Sequence, residues 1–161
     1  MSLIIGIDPG LHGGLAAIRM SDAQAVYISS MNNFIEIQRY KLLVTLRPDI
    51  KHVFLERIDG NAKLSRDAGL WEGMLIGLKI CYTLVRPKKW QSYLNCSTNG
   101  DKNVTKELAL KIFRAQEKKV THDTADSLLI AYYGWLRFQE ALLKKACPVV
   151  NPPESLKPNK K

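Results

Sequence analysis

The most constraining feature of the chain is its opening run, Leu3-Ile4-Ile5-Gly6-Ile7-Asp8, apolar and rich in β-branched residues and closed at once by Pro9-Gly10. A run this short, bounded by turn formers, reads as a buried strand, and it leaves an acid at the carboxyl end of that strand. Two more strand-like runs follow at 14–20 and 24–30, joined around Ser21-Asp22, with Val26 and Ile28 alternating with polar neighbours as on a half-buried edge. Three consecutive short strands imply an antiparallel meander. The period then changes. Residues 33–46 place Phe34, Ile37, Leu42, Leu43 and Leu46 near helical spacing, and Pro48 follows. A buried strand at 52–56 leads into a helix over 62–79, with Leu64, Ala68, Trp71, Leu75 and Leu78 along one side. A fifth strand at 81–85 stops at Pro87, and a polar loop covers 95–100. A helix then runs from 101–103 to about 116, and Thr121 caps a last long helix that reaches about 145 and is halted by Pro148. The order βββ-α-β-α-β-α-α predicts an α/β fold built on a mixed five-stranded sheet, three antiparallel strands then two parallel, with helices on both faces.

At 161 residues the chain has the length of one domain, taken as 1–148, followed by a basic Pro/Lys-rich tail at 149–161 expected to be flexible. No apolar run approaches the ~20 residues of a membrane span. The first residues carry no positive stretch of the kind that opens a signal peptide. Cys81, Cys96 and Cys147 lack any Cys-x-x-Cys spacing and fit free thiols in a reducing compartment. These features exclude the secreted and membrane classes and predict a cytoplasmic location. The net charge of +9 is unevenly spread: residues 86–119 hold nine basic side chains against three acidic ones, a balance of +6. Charge so concentrated reads as a footprint for a polyanion. Arg57, Lys63, Arg66, Lys88, Lys89, Lys102 and Lys106 are the candidate nucleic-acid contacts. Trp90 joins them because Lys88-Lys89-Trp90 sets cations beside an aromatic able to stack on a base, although the ring equally suits a core position.

Four acids stand where packing alone would not choose them. Asp8 ends the first strand and Glu56 the fourth; if those strands are parallel neighbours, both carboxylates emerge at one edge of the sheet, where α/β ligand sites form. Asp123 and Asp126 lie three apart in the first turn of the last helix, hence on one face. Singly, each has an ordinary explanation as a turn former, a solvated strand end or a partner of the helix dipole. Together, they repel unless a cation lies between them, and hard oxygen ligands suit Mg²⁺ or Mn²⁺. A pair of such ions ~3.5–4 Å apart stabilises both the attacking and leaving oxygens of phosphodiester hydrolysis.

Gly6-Ile7-Asp8-Pro9-Gly10, Leu55-Glu56 and Asp123-Thr124-Ala125-Asp126-Ser127-Leu128-Leu129-Ile130-Ala131 resemble, in order and spacing, the three acidic motifs of the RuvC-type Holliday junction resolvases. The resemblance spans about residues 4–133. It implies a ribonuclease H-like fold and a metal-dependent endonuclease that acts as a homodimer on four-way DNA junctions, nicking two strands symmetrically and leaving 5′-phosphates. It carries over Asp8, Glu56, Asp123 and Asp126 as ligands of two Mg²⁺ ions per site, with Mn²⁺ able to substitute. Lys89 and Lys102 fall where the family has lysines that support catalysis, and the helix over 62–79 is the one through which the family dimerises. Two departures stand out. Asp59, in Arg57-Ile58-Asp59-Gly60-Asn61, occupies the loop position where many members carry an aromatic wedge. His122 precedes Asp123, and because some relatives use histidine as a third ligand, His122 and Asp126 at i, i+4 form an alternative pair. The short form and the altered loop resemble phage-encoded members of bacterial systems.

Rival classes share parts of this pattern. A YqgF-like or ribonuclease H-like RNA nuclease would use the same metals on another substrate. A non-catalytic DNA-binding protein would use only the basic face. An actin-like ATPase could cradle phosphate near Asp8-x-Gly10 and Gly13-Gly14, but that architecture needs two such domains.

Overall fold

The computed structural model describes residues 1–33, 35–60 and 62–146. Five strands form one sheet: β1 (Leu3–Asp8), β2 (Gly14–Arg19), β3 (Ala25–Ser30), β4 (Ile50–Glu56) and β5 (Tyr82–Val85), in the spatial order β3-β2-β1-β4-β5. β1, β2 and β3 pair antiparallel, whereas β4 joins β1 in parallel and β5 joins β4 in parallel. This is the expected mixed sheet. The helices are α1 (Glu36–Leu46), α2 (Ala62–Gly77), α3 (Pro87–Tyr93), α4 (Asn103–Ile112) and α5 (His122–Ala146).

The period-two alternation of β1 decides which groups face which layer. Leu3, Ile5 and Ile7 point to one face, where they pack with Leu43 of α1 and with Trp71 and Leu75 of α2. Ile4 points to the other, among Ala109 of α4 and Leu128, Leu129 and Ala131 of α5. Gly6 shares that second face, and α5 rides directly over it: a Cβ at Gly6 would lie 2.2 Å from the Ser127 carbonyl oxygen and 2.4 Å from the Ala131 nitrogen. Only glycine admits that approach. The same parity sends Asp8, two residues on, toward α5. In β4 it sends Val53 and Leu55 to the α1–α2 side, and Phe54 and Glu56 to the α5 side.

Three local features differ from expectation. Pro87 stops β5, but it also opens α3, because proline's fixed φ and missing N–H suit the first helical position. The helix expected to reach 116 ends at Ile112: Phe113 leaves helical geometry (φ −110, ψ 44) and a 3₁₀ segment, Arg114–Lys119, follows. Likewise α1 begins at Glu36 after a 3₁₀ turn, Met31–Asn33, with Gln38 Oε1 accepting the Ile35 N–H. Phe34, the tail at 149–161, Pro148 and Cys147 lie outside the described residues. Among the described residues Cys81 and Cys96 are free thiols, and no helix is long and apolar enough to cross a membrane.

Candidate active site

The carboxyl ends of β1 and β4 lie side by side, with Ile7 paired to Leu55, so Asp8 and Glu56 leave the sheet together on the α5 side. Glu56 is buried, and its Oε1 accepts a hydrogen bond from Trp90 Nε1 at 2.8 Å. Asp126, in the first turns of α5, comes down onto the same edge because Gly6 lets the helix close in. Its Oδ1 is buried and has no hydrogen-bond partner.

The electrostatics follow from that crowding. Burial, then the charges of Glu56 and Asp126, hold the Asp8 carboxyl well above the usual carboxylate range. Burial likewise pushes Glu56 up to about 7, against the hydrogen bond from Trp90, which favours its ionised form. Asp126 is raised by burial, with the Thr105 hydroxyl and the charges of Lys102 and His122 working the other way. Asp8 and Glu56 also share a hydrogen bond. Burial and mutual repulsion therefore disfavour the doubly ionised form of the pair. Cys96, behind Asp126, has its thiol pushed up to about 11 by burial and by that carboxylate, which makes it inert packing.

These residues fit a divalent cation by charge and donor type. Hard oxygen donors are crowded at a sheet edge, and one buried oxygen, Asp126 Oδ1, lacks a partner. Among the described residues, no three His, Cys, Asp or Glu side chains are already spaced as a ligand set.

Of the other residues read from the sequence, Lys102 stands at the N-cap of α4, and its charge acts on Asp8, Glu56 and Asp126 alike. Lys88 and Lys89 are exposed on α3. Trp90 is a correction to the stacking role: it is fully buried, its indole spent on Glu56, and it takes the core alternative. Asp123, read as sharing a face with Asp126, is engaged elsewhere; Ser30 Oγ and Asn32 Nδ2 donate to its Oδ2 at 3.3 and 3.1 Å. His122 is exposed and acts on Asp126 through its charge. Arg57 pairs with Asp59 at 2.9 Å, and Arg86 approaches the same carboxylate at 3.7 Å, so the loop carrying Asp59 is braced by two arginines. Lys63 and Arg66 are exposed on the first turns of α2, and Lys106 is half-buried on α4. Sequence reasoning missed Thr105, whose only signal is its place three residues after Lys102, and the pair of buried Arg39 and half-buried Asp67.

Solved structures share this architecture. Thermus thermophilus RuvC, in a structure described as a complex with Holliday junction substrate, superposes with a TM-score of 0.62 at 17% identity, covering 86% of this chain and 96% of that one. A second structure of the same RuvC gives the same values. The fold is that of these resolvases. The fowlpox virus Holliday junction resolvase gives a TM-score of 0.53 at 13% identity, covering 87% of this chain and 99% of that one. No family model and no curated protein matches the sequence. At such identities the likeness is one of fold: a mixed five-stranded sheet in the order β3-β2-β1-β4-β5 with its helices.

Proposed function

We propose that the protein is a metal-dependent endonuclease that resolves four-way DNA junctions by paired symmetric nicks. The observation that carries this reading is the crowding of Asp8, Glu56 and Asp126 at one sheet edge, with carboxyls raised by burial and mutual repulsion and with Lys102 as their cation. A chain this basic has no stability reason to bury three acids together. The fold shared with RuvC and with a poxvirus resolvase supports the same reading.

Asp8, Glu56 and Asp126 would hold Mg²⁺, and Asp123 would join by exchanging its hydrogen bonds with Ser30 and Asn32. The bound ions would supply charge neutralisation at the scissile phosphate and a more acidic attacking water. Asp8 and Glu56 must release their shared proton to bind, so binding is favoured by rising pH. Trp90 fixes the Glu56 carboxylate through its indole N–H, which keeps one oxygen oriented while the carboxylate, released from its hydrogen bond with Asp8, would ligate. Lys102 offers its ammonium to negative charge developing on the phosphate. Arg57, Lys63, Arg66, Lys88, Lys89 and Lys106 contact the DNA backbone, giving affinity without sequence information. The substrate's two equivalent scissile strands call for a two-fold enzyme, and α2 supplies a face for it. Leu70 and Ile76 are exposed there, and nothing lies within 4 Å of a Cβ built at Gly69, Gly73 or Gly77.

The test is cleavage of a synthetic four-way junction with Mg²⁺, mapping nicks on all four strands, beside an RNA–DNA hybrid and a structured RNA. Symmetric paired nicks with 5′-phosphates are expected, lost in Asp8→Asn while junction binding persists. Robust cutting in excess chelator, or RNA cleavage equal to or better than junction cleavage, would overturn the reading.

A further inference from the structure

Behind Asp8 the chain turns at Pro9-Gly10, and a second polar cluster meets that turn from the opposite layer. The Gly10 N–H donates to Asp67 Oδ2 at 2.8 Å. The other oxygen of Asp67 accepts from Arg39 Nη1. Arg39, on α1, is buried, with its guanidinium 5.4 Å from the centre of the Trp71 ring. Asp67 and Trp71 are both on α2, so the cluster links α1, α2 and the turn after β1.

Stability does not account for this arrangement. The pair is largely removed from water, with side-chain exposures of 9% for Arg39 and 19% for Asp67. Taking two charges out of water costs more than their attraction reliably returns, and an apolar pair would fill the space as well. The network is also incomplete, since Arg39 Nε is buried without a partner. What the cluster does hold is the turn. Gly10 has φ +115, a region that favours glycine, and a Cβ there would meet Leu64 Cδ2 of α2 at 2.7 Å. The turn is thus seated on α2 by close packing and by one hydrogen bond, and that bond goes to a carboxylate oriented by Arg39.

We propose that Asp67, held by Arg39, is a positioning residue that clamps the Gly10 amide and thereby fixes Asp8 against Glu56 and Asp126. The inference rests on the nuclease reading above, and it gives that site a support on the far side of the sheet. Once Asp8 and Glu56 are both ionised, like charges at the sheet edge push Asp8 outward, and a group in the reacting site loses rate steeply when misplaced by about 1 Å. A clamp two residues along the chain opposes that push without touching substrate.

The test compares Asp67→Asn, Arg39→Met and Arg39→Lys with the unaltered protein. In Asp67→Asn a single oxygen faces two donors, so Gly10 or Arg39 loses its acceptor. Arg39→Met keeps an aliphatic stem over Trp71 without the charge, and Arg39→Lys restores the charge. Three quantities are read: amide exchange at Gly10 and the Asp8 carboxyl ¹³C shift by NMR, single-turnover junction cleavage at saturating Mg²⁺, and junction affinity in Ca²⁺. Asp67→Asn and Arg39→Met should speed Gly10 exchange at least tenfold, move the Asp8 shift and slow cleavage at least tenfold, with affinity within threefold. Arg39→Lys should recover most of the rate. Unchanged Gly10 exchange, an unmoved Asp8 shift, full cleavage despite a released turn, or no recovery in Arg39→Lys overturns the inference. Should Asp67→Asn not fold, the Arg39 pair decides by the same readings. If the unaltered protein leaves junctions uncut, the nuclease reading fails, and Gly10 exchange with the Asp8 shift still accepts or rejects the clamp.

Discussion

Replacing Glu56 by glutamine removes one negative charge and leaves the acceptor for Trp90 Nε1 in place, so it isolates the electrostatic cost of the site. With its carboxyl raised from 4.5 to about 7, chiefly by burial, Glu56 holds a proton in the folded chain over a window where the unfolded chain has released it. Folding takes up that proton, so the unfolded state binds fewer protons and stability falls as pH rises. The contribution is fully present below about 4.5 and lost by about 7, at roughly 1.4 kcal/mol per pH unit, hence about 3 kcal/mol in all. In chelator at pH 8, Glu56→Gln should therefore be more stable than the unaltered protein by about 3 kcal/mol, or about 6–12 °C in melting temperature for a domain of this size. At pH 4 the two should nearly coincide. Saturating Mg²⁺ at about 100 times its Kd should return about 2.7 kcal/mol to the unaltered protein and much less to the variant. Urea unfolding at pH 4 and pH 8, with chelator and with Mg²⁺, measures every part of this. If Glu56→Gln is no more stable at pH 8 in chelator, or the two stability curves run parallel from pH 4 to 8, the reasoning about the buried acids fails.

Two further outcomes follow from the same geometry. Gly6→Ala should destabilise the fold by about 3 kcal/mol or more and abolish cleavage, because the new Cβ meets backbone of α5 at 2.2 Å and no flexible side chain can yield; a loss under about 1 kcal/mol in urea unfolding refutes this account of the β1–α5 contact. Lys102→Ala should slow junction cleavage about tenfold or more and move the acidic limb of the pH–rate profile upward, since the Lys102 charge lowers Asp8, Glu56 and Asp126; an unmoved limb removes Lys102 from the site.

Much of the site was legible because strand parity is a local property. Alternation along Leu3–Asp8 and along Ile50–Glu56 puts each terminal acid on a known face, and the parallel pairing of the two strands then makes them neighbours. Helical spacing was less informative at Asp123 and Asp126. Three residues along a helix is a rotation of about 300°, enough for Asp126 to face the sheet edge while Asp123 reaches Ser30 and Asn32 at the end of β3. Pro87 shows a second limit: the same residue ends a strand and begins a helix, and a reading that stops at the first role misses α3.

The sequence by itself determined the order of elements, the mixed sheet and the placing of Asp8 and Glu56 at strand ends, because backbone periodicity and turn chemistry act over a few residues. Only the tertiary structure decided what surrounds those acids. Trp90 became a buried partner of Glu56 rather than an exposed ring, and Arg39 of α1 met Asp67 of α2 beneath the Gly10 turn. Burial, desolvation and the sharing of protons are sums over neighbours brought together from distant parts of the chain, and no local pattern carries those sums.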